Sequence, residues 1–218
     1  MELSSSDISK VYRLLKKEFV KHQMPIVDLI EVQTKDPFKV LITTILSART
    51  KDRTTAVAAG KLFEKIKKPE DINRCSLTEL EKLIFPVGFY HDKARHLKEL
   101  PNVLKEKFNG KIPDTVDELI ALPGVGRKTA NLVVAVAFNK PAVCVDIHVH
   151  RIFNRLGYLL TGNPLQTEMT LRKHFPEKYW TTFNSYFVSF GQHLCRPVNP
   201  QCGNCPVSNY CSRINVNS

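Results

Sequence analysis

Residues 115–138 read TVDELIALPGVGRKTANLVVAVAF. Val116, Leu119 and Ile120 recur at helical spacing up to Leu122, where Pro123 stops the helix. Gly124 and Gly126, one residue apart, then permit a tight backbone turn that other residues resist. A second apolar helix follows from Arg127 to Phe138. Such a helix–hairpin–helix leaves the first backbone N–H groups of the second helix at the turn, where the helix dipole favours a phosphate. A plain helix C-cap is the simpler reading of Gly-x-Gly. Helices on both sides, with Arg127 and Lys128 directly after the turn, favour phosphate binding.

Outward from this segment the pattern stays helical. Ile8, Val11, Leu14, Leu15 and Phe19 recur at helical spacing after Ser4-Ser5-Ser6-Asp7, a run of good N-cap residues. Further apolar-periodic stretches run over Pro37–Leu46, Thr55–Ile66, Leu77–Phe85, Ala94–Phe108, His148–Leu160 and Thr167–Leu194. Breakers such as Lys68-Pro69, Val87-Gly88, Asn109-Gly110 and Gly162-Asn163-Pro164 separate them. Nine or ten helices with short connections imply an all-α fold. Ala142 to His150 alternates like a strand, yet nothing else in the chain offers a partner strand, so it is read as an extended link into a helix.

The 218 residues carry 32 Lys+Arg against 21 Asp+Glu, a formal charge of +11 that is spread over the whole chain. A charge of that size points to nucleic acid, whose phosphates release counterions to Lys and Arg. Between Glu118 and Glu168 stand five bases (Arg127, Lys128, Lys140, Arg151, Arg155) and a single acid, Asp146. The longest apolar run, Leu132 to Phe138, is far short of the roughly 20 residues of a membrane span, and MELSSSDISK lacks a signal peptide's apolar segment. A soluble intracellular protein is expected.

Lys128 falls in the first turn of its helix, beside Arg127 and at the positive end of the dipole, which disfavours the ammonium form. It reads either as a solvated lysine contacting phosphate or as an amine nucleophile. A nucleophile of that kind needs a carboxylate nearby, and Asp146 is the available one. Asp146 also suits the cap of a helix starting near His148. The Asp146-x-His148-x-His150 spacing has a metal reading as well, but a barrel of the amidohydrolase kind needs many strands. At the other end of the chain, Cys195, Cys202, Cys205 and Cys211 form C-x6-C-x2-C-x5-C. Four thiols so close in an intracellular protein read as metal ligands, with zinc and [4Fe–4S] both open on spacing. Cys75 and Cys144 read as small buried hydrophobes.

Together, Leu122–Phe138, Val145-Asp146-Ile147-His148 and the four cysteines resemble the endonuclease III family of base-excision-repair DNA glycosylases. Leu46–Asp52 (LSARTKD) and Gly88–Ala94 (GFYHDKA) are similar to further family segments. The resemblance covers nearly the whole chain, in order. It implies a two-domain all-α helix–hairpin–helix glycosylase fold: a six-helix barrel domain over 28–140, and an iron–sulfur cluster domain built from 1–27 with 141–218. It implies that the four cysteines hold [4Fe–4S] rather than zinc. The expected activity is excision of oxidised pyrimidines from duplex DNA, with cleavage of the abasic strand by β-elimination. In that scheme Lys128 attacks C1′ and forms a Schiff base, Asp146 assists, and Gly124, Val125 and Gly126 grip a phosphate through backbone amides. Arg127 and His148 support DNA contacts, and Arg49 and Phe89 fill the gap left by the extruded base.

Arg49 and Phe89 depart from the family, whose bacterial members commonly have glutamine and leucine there. Arginine still donates to the orphan base and phenylalanine still wedges. The loop Arg196–Gln201 departs too, with Arg196 as its only charge. The competing readings are a mismatch glycosylase for thymine, uracil or adenine, and a non-catalytic DNA-binding module. The adenine branch has glutamate where this chain has Thr44, lacks the lysine, and adds a C-terminal domain. A monomer is expected, with damaged or abasic duplex DNA as its partner and no membrane. Its expected place is the cytoplasm beside a nucleoid, or the nucleus or mitochondrion in a eukaryote.

Overall fold

A computed structural model describes residues 5–22 and 25–216. In chain order the helices are α1 (Ser5–Phe19), α2 (Ile26–Thr34), α3 (Pro37–Ser47), α4 (Asp52–Lys65), α5 (Leu77–Ile84) and α6 (Tyr90–Phe108). There follow α7 (Val116–Ile120), α8 (Arg127–Phe138), α9 (Ile147–Leu156), α10 (Pro164–His174) and α11 (Phe183–His193). Short 3₁₀ turns join some of them, and no strand occurs among the described residues. No described helix is long and apolar enough to cross a membrane. The chain divides into two compact units, one of residues 26–140 and one of the residues up to 25 with those from 141 onward.

In the unit 26–140, α3 is apolar on every side, and a helix of that kind belongs in the middle. Phe38 and every residue from Val40 to Leu46 are buried, with α2, α4, α6 and α8 packed around them. Its start is closed by Pro37 and by Asp36, whose carboxylate accepts from the Phe38 amide at 2.9 Å. α5 begins with a capping box, Ser76 and Glu79 bonding one another's backbone amides. Thr115 accepts from the Glu118 amide and starts α7. α8 runs over Arg127–Phe138, the span that its apolar pattern predicts.

In the other unit, α1 and α9 lie against α11 around an aromatic core. Phe153 stacks on Phe187 at 4.5 Å and meets Phe175 edge-on at 5.4 Å. Ile8, Val11, Leu15, Val143, Val145 and Val149 close around those rings. The link before α9 is extended, as expected, and it is buried: the Asn184 amide donates to the Cys144 carbonyl at 3.1 Å, where a neighbouring strand would otherwise bond.

The structure departs from the periodicity in five places. α2 has no counterpart in the apolar pattern. The stretch Thr167–Leu194 is not one helix, because Pro176 cannot continue the ladder and holds Phe175 extended (ψ 132°). α9 ends at Leu156, where Gly157 takes a left-handed φ of 76°. α4 and α6 begin earlier than predicted, at Asp52 and Tyr90. Ser4, in the expected cap of α1, lies outside the described residues, whereas Cys75 and Cys144 are buried as expected.

The aromatic core makes a first prediction. Phe153 is fully buried against Phe175, Phe183 and Phe187. Phe153→Ala should cost about 3–5 kcal/mol in urea unfolding, from lost burial plus the cavity left behind. A loss below about 1 kcal/mol would mean that the rings do not form the core.

Candidate active site

The hairpin is built as its glycines require. The Val125 amide donates to the Leu122 carbonyl at 3.2 Å, closing the turn, and the Val125 side chain is buried. Gly124 takes φ 74°, and a Cβ there would stand 2.8 Å from Nδ1 of His96. Gly126 is the N-cap of α8, which no side chain caps, and a Cβ on it would meet nothing within 4 Å. Gly124 is thus needed by the fold, while at Gly126 the fold leaves space beside the backbone. The Val125 amide, expected in the phosphate grip, bonds within the turn here.

Lys128 is exposed in the first turn of α8, one residue after Arg127. Asn131, fully buried one turn on, donates to the Arg127 carbonyl at 3.0 Å and steadies that turn. Asp146 belongs to the other unit. As N-cap of α9, its Oδ1 accepts from the amides of His148 and Val149 at 2.8 and 2.9 Å. Two donors on one oxygen fix the carboxylate's position. His148 is half-buried, its Nδ1 is 3.0 Å from Nη2 of Arg151, and a Cβ on Gly191 would collide with its ring. Its ring is therefore part of the packing between α9 and α11.

Arg49 and Phe89 lie together in the unit 26–140. The guanidinium sits over the phenyl ring, 5.3 Å from its centroid. Both residues have left-handed backbones, φ 54° and 58°, a conformation that costs a non-glycine residue about 1 kcal/mol or more. Both side chains are exposed. Beneath them Lys93 is buried, with Nζ at 2.7 Å from the Leu46 carbonyl, 2.6 Å from that of Ala48 and 3.3 Å from the Thr50 hydroxyl. Burial pulls its amine down to about 8, so it stays protonated at neutral pH.

The four cysteines are partly buried and line one cavity together with Ile152, Leu156, Phe190, Leu194 and Val207. Among the described residues no three His, Cys, Asp or Glu side chains are placed to hold a single metal ion. Four sulfurs lining one cavity suit a cluster. Burial pushes the Cys205 thiol up to about 11 and raises Cys211 as well, so their thiolates need the positive charge of bound iron.

Two arginines hold this loop, and here the charge count misleads. Arg155, nearly buried, donates to the carbonyls of Arg196 at 2.7 Å and Pro197 at 3.0 Å, with Nη1 also 3.4 Å from Sγ of Cys195. Arg151 donates to the carbonyls of Gly191 and Cys195. Lys140 pairs with Asp114 at 2.7 Å. Lys140, Arg151 and Arg155 of the acid-poor stretch are therefore engaged within the protein.

Comparison with known proteins agrees with this geometry. Residues 42–177 match the HhH-GPD superfamily base excision DNA repair protein, and residues 195–211 match the iron–sulfur binding domain of endonuclease III. Endonuclease III of Thermotoga maritima is 47% identical over 176 residues, covering 81% of this chain and 83% of that one. The chain belongs to the endonuclease III family. It spans about half the length of the chloroplastic endonuclease III homolog 2 of Arabidopsis thaliana, with 40% identity over 183 residues, 80% of this chain and 47% of that one. A trapped endonuclease III–DNA covalent intermediate superposes with a TM-score of 0.84 at 36% identity, covering 97% of both chains. The protein is accordingly a bifunctional base-excision enzyme, a DNA glycosylase and abasic-site lyase, that binds DNA and carries a [4Fe–4S] cluster. Lys93, Arg151 and Arg155 are the contributors that motif reading missed; their partners are mostly backbone carbonyls, which leave no mark in sequence.

Two outcomes check the site. Gly124→Ala should destabilise the protein by about 1–2 kcal/mol, from its left-handed φ alone, and more as His96 is displaced. Gly126→Ala should shift stability by less than about 1 kcal/mol yet weaken DNA binding in a titration; equal effects of the two changes on folding would refute the distinction. The purified protein should be brown, absorb near ~400 nm and hold about four irons per chain. Cys202→Ser should lose that iron, and a colourless parent with one zinc per chain would refute the cluster.

Proposed function

We propose that this enzyme acts as a monomer on duplex DNA, removing oxidised pyrimidines and then cutting the strand 3′ to the abasic site. The observation that carries this reading is the placement of Lys128, an exposed amine in the first turn of α8, directly after the hairpin. Gly124 and Gly126 present backbone to the phosphate, with Arg127 alongside. A phosphate fixed there sets the register of the strand against Lys128.

The neutral amine attacks C1′, the C1′–N bond breaks, and the base leaves with the electron pair and takes a proton. Loss of the ring-oxygen bond gives an iminium between Lys128 and C1′. Removal of a C2′ proton then expels the 3′ phosphate by β-elimination, and water releases the lysine. Asp146, held by the His148 and Val149 amides, takes the amine's proton or stabilises the cationic sugar. Arg49 and Phe89 occupy the gap in the duplex. His148 and Arg151 keep the start of α9 in place. The iron–sulfur cluster, bound by Cys195, Cys202, Cys205 and Cys211, supplies four iron–thiolate bonds that tie the C-terminal loop. The unit 26–140 serves as the barrel domain and the other unit as the cluster domain. The enzyme works where the chromosome lies, in the nucleoid, or in the nucleus or mitochondrion of a eukaryote.

Borohydride reduction during turnover on a thymine glycol duplex should fix a covalent protein–DNA adduct. Lys128→Gln should abolish the adduct and still bind the duplex; no adduct with the parent would defeat the reading. Asp146→Asn keeps an equally good N-cap, so melting should change little, while excision slows by about 10²–10⁴-fold. Unchanged excision in that variant would remove Asp146 from the mechanism.

A further inference from the structure

The two departures from the family pattern, Arg49 and Phe89, are joined both above and below. Above, the guanidinium stacks on the phenyl ring at 5.3 Å. Below, the turn after α3 and the turn before α6 share one set of hydrogen bonds. The Gly88 amide donates to the Thr50 hydroxyl at 3.2 Å, and the same hydroxyl receives the Lys93 ammonium at 3.3 Å. Lys93 also bonds the Leu46 and Ala48 carbonyls, which lie at the end of α3, the negative end of that helix. The two turns touch so closely that a Cβ on Gly88 would stand 2.7 Å from the Arg49 carbonyl oxygen.

Neither turn rests on local preference. Arg49 and Phe89 both hold left-handed backbones that non-glycine residues avoid, so surrounding contacts must impose them. The contacts that do so meet at Lys93, which is one turn into α6 from Phe89 and bonds the residues on either side of Arg49. Its ammonium bonds the end of α3 and Thr50.

We propose that Lys93 is a positioning residue, locking the Ala48–Thr50 turn to the Gly88–Phe89 turn so that Arg49 and Phe89 enter the duplex as one rigid stacked element. This rests on the reading of Arg49 and Phe89 as gap-filling residues. A preformed wedge needs no ordering at the moment the base leaves, and the loss of that ordering falls on base extrusion rather than on chemistry at a sugar that has already lost its base.

The test uses the holoenzyme in single turnover on two duplexes, one bearing dihydrouracil and one a preformed abasic site. Lys93→Met is isosteric in its stem and removes the three hydrogen bonds. It should slow dihydrouracil excision about 10²-fold more than it slows borohydride trapping at the abasic site, the scale expected for a misplacement of about 1 Å. Because Lys93 acts through the wedge, Lys93→Met added to the double variant Arg49→Ala/Phe89→Ala should slow excision no further than that double variant alone. Equal losses on the two duplexes, or additive losses in the triple variant, would overturn the proposal. Should Lys93→Met fail to fold, Thr50→Val removes the shared hydroxyl from the surface side and must show the same selective loss and the same non-additivity. A parent that traps abasic DNA but excises no base, with wedge variants unchanged, defeats the gap-filling reading itself and the role of Lys93 with it.

Discussion

An α-helix leaves its first backbone N–H groups without partners of its own, and something must meet them. The unit 26–140 deals with this constraint in alternation. α3, α5 and α7 are capped by side chains, those of Asp36, Ser76 and Thr115. α4, α6 and α8 begin at Lys51, Phe89 and Gly126 without any side-chain cap. The residues proposed to act on DNA attach to the second set: Arg49 two residues before Lys51, Phe89 itself, and Lys128 two residues after Gly126. Capped starts serve the fold, while uncapped starts carry the residues assigned to DNA. Asp146 is the instructive exception, because in the other unit one carboxylate serves as a cap and is held in place by capping.

The strained residues follow the same division. Arg49 and Phe89 stand at turns where glycine would be the easier choice. Glycine offers no side chain to enter a duplex, so the chain keeps the side chains and imposes the backbone from below, through Lys93 and through a real glycine at 88. Gly124 and Gly126 show the converse. In the proposed grip the backbone itself meets the phosphate, and at Gly124 a side chain would also strike His96.

Much of this was legible in the sequence, and what was not has a common cause. The hairpin, the full span of α8, the cap at Asp146 and the clustering of cysteines all depend on residues within a few positions of one another, so spacing reports them. The end of α9 at Gly157 and the break at Pro176 were local too; there a continuing apolar pattern outweighed single breaker residues. Lys93 and Arg155 are different. A lysine in HDKARH and an arginine in FNRLG read as solvated charges, and only the three-dimensional fold turns them inward onto carbonyls that are distant in sequence. α2 is hidden for a related reason: nine residues with two internal acids make a weak periodic signal, and packing on α3 makes the helix.

That inward turning changes what the net charge of +11 means. The acid-poor stretch looked like a local cationic surface, yet Lys140 is paired, and Arg151 and Arg155 hold the cysteine loop. Arg127, Lys128 and Lys140 are its exposed bases, Lys140 beside Asp114. The attraction to DNA is therefore diffuse, the sum of a basic excess spread along the chain, and falls with salt as such attractions do. Placement is a separate task. A flexible lysine neutralises a phosphate without fixing it, whereas amides at a glycine turn move only with the helices that carry them. A nucleophile that must reach one sugar carbon gains more from a fixed phosphate than from another positive charge. On the proposed reading, bare backbone set by two glycines before α8 is the feature of the sequence that meets this need.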